Sequence, residues 1–238
     1  MQIDELYPGG PRFYQKAPVF KLGTDSVLLA HFTNTARAKR AVDLGTGAGV
    51  LSVLLSGREP GLQIDAIDIL PEAVSLTAQN AELNAFKDRI FPHLIDIRQI
   101  QGSLPAGAYD LAISNPPYFP AGSGKQAPQE ARAHARDESL CTLDHLCAAA
   151  AYLLRWGGRF TLVHRPERLS EICCAMTHHG IEPKRLRAVA LTEKHPPSLI
   201  LIEGRRGGNP GLELEATLPL RDEAGGDSPE IRTIYCNK

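Results

Sequence analysis

Short apolar runs bounded by turn residues alternate along this chain with longer stretches of mixed character. The runs at 41–45, 62–67, 90–95 and 109–114 read as strands, the last of them buried. Between them, 49–56 and 71–84 read as helices, with Pro71 suited to a first helical turn. Further on the pattern predicts a helix over 140–154, a strand over 158–164 and a helix over 166–179. Two late strands follow near 184–191 and 198–204, joined by Lys194-His195-Pro196-Pro197. The opening through Phe20 is rich in Pro, Gly and aromatics and predicts a hairpin or loop. Gly23-Thr24-Asp25 then offers a cap for a helix over 27–32. The closing segment, 210–238, adds one short strand at 231–235. Strands alternating with helices predict an α/β fold built on a parallel sheet.

Asn115-Pro116-Pro117-Tyr118 directly follows the buried run 109–114. Two prolines can neither continue a central strand nor open a helix, so the chain leaves the sheet in a stiff, extended shape. Such an exit offers the Asn115 side-chain oxygen, the Pro116 carbonyl and the Tyr118 ring, a set able to clamp a flat hydrogen-bonding group such as a nucleobase or a carboxamide. A rigid turn ending a strand is the plainer reading. The polar stretch 119–137 comes next, and its place predicts a cover over whatever the clamp holds.

Upstream, Asp43-Leu44-Gly45-Thr46-Gly47-Ala48-Gly49 places an acid and alternating glycines at the end of the first predicted sheet strand. Glycines there let main-chain N–H groups approach a ligand. The spacing is Gly-x-Gly-x-Gly, with Val50 where a dinucleotide fingerprint needs glycine. Asp68 ends the second such strand, where a carboxylate can take both hydroxyls of a ribose or cap the helix at Pro71. Asp96 ends the third and could take an adenine amino group or simply close a turn.

Composition changes the picture little. The 238 residues suffice for one doubly wound domain with small additions, and 43% hydrophobic content is ordinary. No apolar stretch nears the roughly eighteen residues of a membrane span, and the acidic start Met1-Gln2-Ile3-Asp4-Glu5 lacks a secretion-signal layout. Five cysteines without metal spacing predict reduced thiols, no metal and a cytoplasmic protein. Net charge is −1, with six acids against three bases from Gly211 onward. Bases gather at Arg37, Lys39 and Arg40, at Arg132 and Arg136, at Lys184, Arg185 and Arg187, and at Arg205 and Arg206, but composition alone does not point to RNA.

The Asp-Leu-Gly-Thr-Gly-Ala-Gly turn, Asp68 and Asn-Pro-Pro-Tyr together resemble the Rossmann-like class I S-adenosylmethionine-dependent methyltransferases that modify an amide or amino nitrogen. Further segments narrow the likeness: the stretch from Phe20 to Phe32, Ala135-Arg136 leading to Thr142-Leu143-Asp144-His145, Gly157-Gly158-Arg159-Phe160 before His164-Arg165-Pro166-Glu167-Arg168, and Leu201 to Gly208. Over most of its length, roughly Leu6 to Gly211, the chain is similar to the bacterial tRNA1(Val) adenine-37 N6-methyltransferase family. The resemblance implies a seven-stranded, mostly parallel sheet with helices on both faces and an antiparallel edge strand. It implies a single domain over 1–238: an N-terminal hairpin and helix cap at 1–36, the Rossmann-like core at 37–208 and an extension at 209–238. S-adenosyl-L-methionine would be held by Thr24, Asp43, Gly45, Thr46, Gly47, Gly49, Asp68, Ile69, Asp96, Ile97 and Asn115. Catalysis would fall to Asn115, Pro116 and Tyr118, and the anticodon loop of a tRNA to Pro117, Tyr118, Phe119 and Arg136. Glutamine N5-methylation of a protein presents the same NH2 to the same clamp and stays open, as does methylation of ribosomal RNA or DNA. A nicotinamide-dependent oxidoreductase would leave Asn-Pro-Pro-Tyr without a role, and a non-catalytic binding module would not need it.

Overall fold

A computed structural model describes residues 2–15, 23–118 and 142–236. Phe119 and Arg136, and the whole stretch 119–137 expected to cover the clamp, lie outside the described residues. The chain opens with an antiparallel hairpin, β1 (Gln2–Glu5) and β2 (Arg12–Gln15). Then come α1 (Thr24–Phe32), β3 (Arg40–Leu44), α2 (Val50–Arg58), β4 (Gln63–Asp68), α3 (Pro71–Leu83), β5 (Ile90–Leu94) and β6 (Tyr109–Ser114). After 119–141 follow α4 (Leu143–Leu153), β7 (Leu154–His164), α5 (Leu169–His178), β8 (Ile181–Ala190), β9 (Pro197–Arg206), β10 (Glu213–Pro219) and α6 (Pro229–Cys236).

One sheet runs in the order β10-β8-β9-β7-β6-β3-β4-β5. All neighbours are parallel except β9, which is antiparallel to β7 and to β8. The mixed α/β architecture is the one expected, with two differences of detail. The described sheet has eight strands rather than seven, because β10 pairs along β8. The antiparallel strand, β9, sits inside the sheet between β7 and β8, not at its edge. A third difference is local: 231–235 is helical, part of α6, with the Ile231 N–H bonded to the Ser228 hydroxyl at 3.2 Å and Ile231 and Ile234 turned inward three residues apart.

The central strands bury both faces. Along β6, Tyr109 and Ala112 face a core that includes Leu146 and Leu153 of α4 and Ile172 and Met176 of α5. Leu111 and Ile113 face the opposite core, with Leu28 of α1, Leu55 of α2 and Ile231 of α6. From Leu111 onward this is the period-two alternation of a strand sandwiched between helix layers, and Tyr109 joins the first core across the register irregularity between Tyr109 and Leu111. Each such leucine or isoleucine contributes about 1.5–3 kcal/mol by leaving water.

The hairpin is fastened to this frame by two amides of α3. Asn84 accepts the Arg12 N–H at 2.9 Å and donates to its carbonyl at 2.7 Å. One turn earlier, fully buried Asn80 accepts the Tyr14 N–H at 2.7 Å and donates to the Ala48 carbonyl at 2.8 Å. Phe13, buried between them, packs with Val53, Leu76 and Ala81. Asn80→Leu keeps the branch at Cγ but leaves the Ala48 carbonyl and the Tyr14 N–H without their partner. Urea denaturation should read a loss of about 2–4 kcal/mol, whereas a loss below 1 kcal/mol would show that the amide link is unimportant.

Candidate active site

Strand order reverses between β3 and β6, and the crevice outside the carboxyl ends of strands at such a point is the ligand site of open α/β sheets. The glycine turn leaves β3 there and the Asn115 tetrapeptide leaves β6 beside it. The Ser114 hydroxyl donates to the Leu44 carbonyl at 2.7 Å, locking the two exits together. Gly45, Gly47 and Gly49 take positive φ of 77°, 57° and 74°. The N–H groups of Gly45 and Thr46 both donate to the Ile67 carbonyl at 2.9 Å, which ties the turn to β4. At Gly49, a Cβ would stand 2.9 Å from Thr77 Cγ2 and 3.2 Å from Thr77 Cα, so the turn closes against α3 only with glycine.

Asp43 is completely buried under this turn. Its Oδ2 accepts from the hydroxyls of Thr46 at 2.8 Å and Ser52 at 2.7 Å. Its Oδ1 has no hydrogen-bond partner among the described residues. Burial pushes its pKa up to about 6, and the nearby Asp68 charge adds to the rise. Asp68 ends β4 and spans the turn: Oδ2 accepts the Gly47 N–H at 2.9 Å and Oδ1 the Leu70 N–H at 3.0 Å. Each oxygen keeps a second lone pair, and burial raises this carboxyl too. Ile69 beside it is 38% exposed, an apolar surface at the crevice rim.

Asp96 lies past β5 and is engaged by its neighbour Arg98, whose Nε is 3.0 Å from both carboxylate oxygens and whose Nη2 is 2.6 Å from Oδ2. That ion pair holds Asp96 below the usual carboxylate range, and an adenine amino group would have to share it. Ile97 is half-buried in the short turn that follows. Thr24 begins α1 on the surface, in hydrogen-bond contact with Tyr235 of α6.

The tetrapeptide reaches residues that the sequence did not single out. Asn115 Nδ2 donates to the Ser26 hydroxyl at 2.9 Å. The Tyr118 hydroxyl lies 2.6 Å from Asp25 Oδ2 and 2.9 Å from Asn115 Oδ1. A phenol has one hydrogen, and the shorter contact is to a carboxylate, so the proton faces Asp25 and Asn115 Oδ1 keeps its lone pairs. Burial and the Asp25 charge both raise the Tyr118 pKa, keeping the phenol neutral. The Tyr118 ring lies 5.2 Å from the His164 ring, with the Arg165 guanidinium 5.8 Å from its centre. Pro116 and Pro117 are half-buried between them. The only hint of Asp25 and Ser26 in the sequence is that they are polar residues opening a helix otherwise buried along its length. His164 had the slighter signal of a polar residue closing an apolar strand.

Most of the basic clusters serve the scaffold. Arg40 pairs with Asp65, Arg185 with Glu203 and Glu215, and Arg187 with Glu230, while Arg206 donates to the Leu154 carbonyl. Among the described residues, Asp144, His178 and His179 bring possible metal-ligand atoms within 4.8 Å of one another at the surface. No helix of the described residues is long and apolar enough to cross a membrane.

Comparison with known proteins agrees with this geometry. The model of the methyltransferase small domain family matches residues 20–172. A tRNA1(Val) (adenine(37)-N6)-methyltransferase from Tolumonas auensis is 35% identical over 212 residues, 89% of this chain and 86% of the relative. Another so named, from Yersinia pestis, is 37% identical over 145 residues, 60% of this chain and 57% of that one. Among solved structures, a predicted O-methyltransferase from Agrobacterium tumefaciens superposes with a TM-score of 0.74 at 19% identity, covering 90% of this chain and 96% of the other. A geranyl diphosphate methyltransferase in complex with S-adenosylmethionine superposes at 0.53 and 13% identity, covering 76% and 84%. S-adenosylmethionine is the cofactor, and the orphaned Asp43 oxygen beneath a turn open to a ligand suits its positive charge. Because the buried Asp43 carboxyl is raised from about 3.9, the cofactor-free protein loses stability as pH climbs through 4 to 6, by about 2–3 kcal/mol. Asp43→Asn should flatten that dependence in chemical denaturation and leave the free protein more stable at pH 8. Calorimetry should show the same variant binding cofactor about tenfold more weakly; unchanged affinity would remove Asp43 from the site. Sheet order, turn and relatives converge, and the chain belongs to the methyltransferase small domain family, among the relatives of the tRNA1(Val) (adenine(37)-N6)-methyltransferases.

Proposed function

We propose that this protein methylates the N6 amine of an adenine in tRNA, in the anticodon loop at A37 of tRNA1(Val), the target named in its curated relatives. The observation that carries the reading is the oriented amide of Asn115. Ser26 accepts from its nitrogen, and its oxygen, 2.9 Å from the Tyr118 hydroxyl whose proton faces Asp25, keeps a lone pair to offer. The tRNA in question belongs to the cytoplasm. The whole of 1–238 works as one domain, with the hairpin and the 209–238 extension as additions to the core.

S-adenosylmethionine supplies, when bound, a methyl group made electrophilic by its sulfonium. The turn residues Gly45, Thr46, Gly47 and Gly49 would hold it with main-chain groups, helped by Thr24 and Asn115, with Asp68 to take its ribose hydroxyls and Ile69, Asp96 and Ile97 to take its base. Asp43, beneath the turn, complements its positive charge.

The adenine N6 lone pair is delocalised into the ring and is a poor nucleophile. Asn115 Oδ1 accepts one N6 hydrogen and the Pro116 carbonyl the other, which favours a pyramidal nitrogen with its lone pair directed at the methyl. Tyr118 stacks on the base and sets the line of attack. Pro117, Phe119 and Arg136 complete the RNA side. The N–C bond would form as the methyl's bond to sulfur breaks, the sulfur leaving as a neutral thioether. The methylated nitrogen, acidic while cationic, would release its proton to solvent, so no strong base is needed. An anticodon-loop purine is partly unstacked already and enters the pocket at modest cost.

Asn115→Ala should lower methyl transfer about a hundredfold, ~2.7 kcal/mol, in single-turnover kinetics while cofactor affinity falls far less. Equal losses in both would overturn its role as a substrate clamp. Mass spectrometry of nucleosides from RNA incubated with enzyme and labelled cofactor should find N6-methyladenosine in the tRNA fraction. Label in protein alone would replace the adenine by a glutamine side chain.

A further inference from the structure

One buried group beside the clamp has no part in the steps above. His164 is the last residue of β7, the strand that pairs with β6 in a register setting Leu162 opposite Ser114, so His164 lies level with Pro116. It is completely buried. Its Nδ1 accepts the Arg165 backbone N–H at 2.8 Å. A nitrogen that accepts carries a lone pair, so the ring proton belongs on Nε2. Burial pushes the His164 pKa down to about 4, and the Arg168 charge nearby lowers it further, so the ring is neutral at physiological pH. The Nε2–H then stands buried with no hydrogen-bond partner among the described residues. Leaving such a donor unpaired costs on the order of 1–3 kcal/mol. A fold tolerates that cost most readily where a ligand supplies the acceptor. The ring it belongs to is 5.2 Å from Tyr118, the side chain proposed to stack on the substrate.

Resting on the adenine reading above, we propose that His164 is a specificity-determining residue whose Nε2–H donates to a ring nitrogen of the target base. Adenine presents N1 on one side of its amino group and N7 on the other, both acceptors without hydrogens. The clamp takes the hydrogens of N6, and His164 offers the complementary donor, so amine and ring nitrogen are read together. A purine carrying a hydrogen at that ring position would set donor against donor. Discrimination of this kind is strong because a mismatched base leaves the buried N–H unpaired.

The test uses full-length tRNA1(Val) with adenine, 1-deazaadenine or 7-deazaadenine at position 37, the intact enzyme, and His164→Phe, which keeps a ring beside Tyr118 but has no donor. The parent should use one of the two deaza tRNAs with a kcat/KM about tenfold to a hundredfold below that for adenine. His164→Phe should be lower by a similar factor on adenine, treat that deaza tRNA and adenine alike, and bind S-adenosylmethionine with unchanged affinity. His164→Gln, whose amide retains an N–H, should recover part of the discrimination, and it replaces the Phe variant should that one fail to fold. The parent using both analogues as well as adenine would overturn the proposal and reduce His164 to a partner of the Tyr118 ring. So would a Phe variant that discriminates as the parent does. If the parent places no methyl on adenine-containing tRNA, the RNA reading itself fails and takes base reading with it. That outcome leaves no rate to compare and is distinct from the other two.

Discussion

Two parallel strands whose connections depart in opposite directions leave a gap at their carboxyl ends, and in this protein the β3–β6 ladder is extended to the lip of that gap by one hydroxyl. Ser114 on β6 reaches the Leu44 carbonyl on β3. The glycine turn on one side and the Asn115 tetrapeptide on the other are therefore set relative to each other by the sheet, not by loop conformation. A methyl transfer needs its two reacting atoms in line and within about 3–3.5 Å. Rigid strand ends supply that constraint more reliably than loops could.

The polar groups around the gap form two shells of different temper. Asp43 and Asp68 are carboxylates whose protonation is eased by burial, both adjoining the turn. Asp25 lies on the far side, where it orders the Tyr118 phenol instead. On the reading proposed above, the acidic groups adjoining the turn would suit a sulfonium, and the neutral donors and acceptors of Asn115, Tyr118 and His164 would suit an uncharged base.

Much of this was legible in the chain. The strand read at 109–114 is β6 to the residue, those read at 41–45 and 62–67 are each shifted by one residue from β3 and β4, and that read at 90–95 runs one residue past β5. Buried parallel strands bounded by turn residues leave a plain trace. The additions were harder to read. β10 alternates polar and apolar residues but is mostly exposed, Leu214 included, so no buried apolar run marks its pairing with β8. The residues 231–235 are rich in β-branched side chains, yet Ser228 and Pro229 start a helix there and the core claims Ile231 and Ile234. The partners of the clamp were hidden for a different reason. Asn115 meets Ser26 and Tyr118 meets Asp25 across 89 and 93 residues of chain. No local spacing can announce such a meeting, and the tetrapeptide alone pointed to chemistry without naming what orders it.

The Asn80 side chain bridges the carbonyl of Ala48, within the glycine turn, and the backbone of Tyr14 in the hairpin. A shift of the turn by a fraction of an ångström must stretch that bridge or carry the hairpin with it. Any displacement of the turn on cofactor binding would therefore be passed along the Asn80 amide to the first strands of the chain.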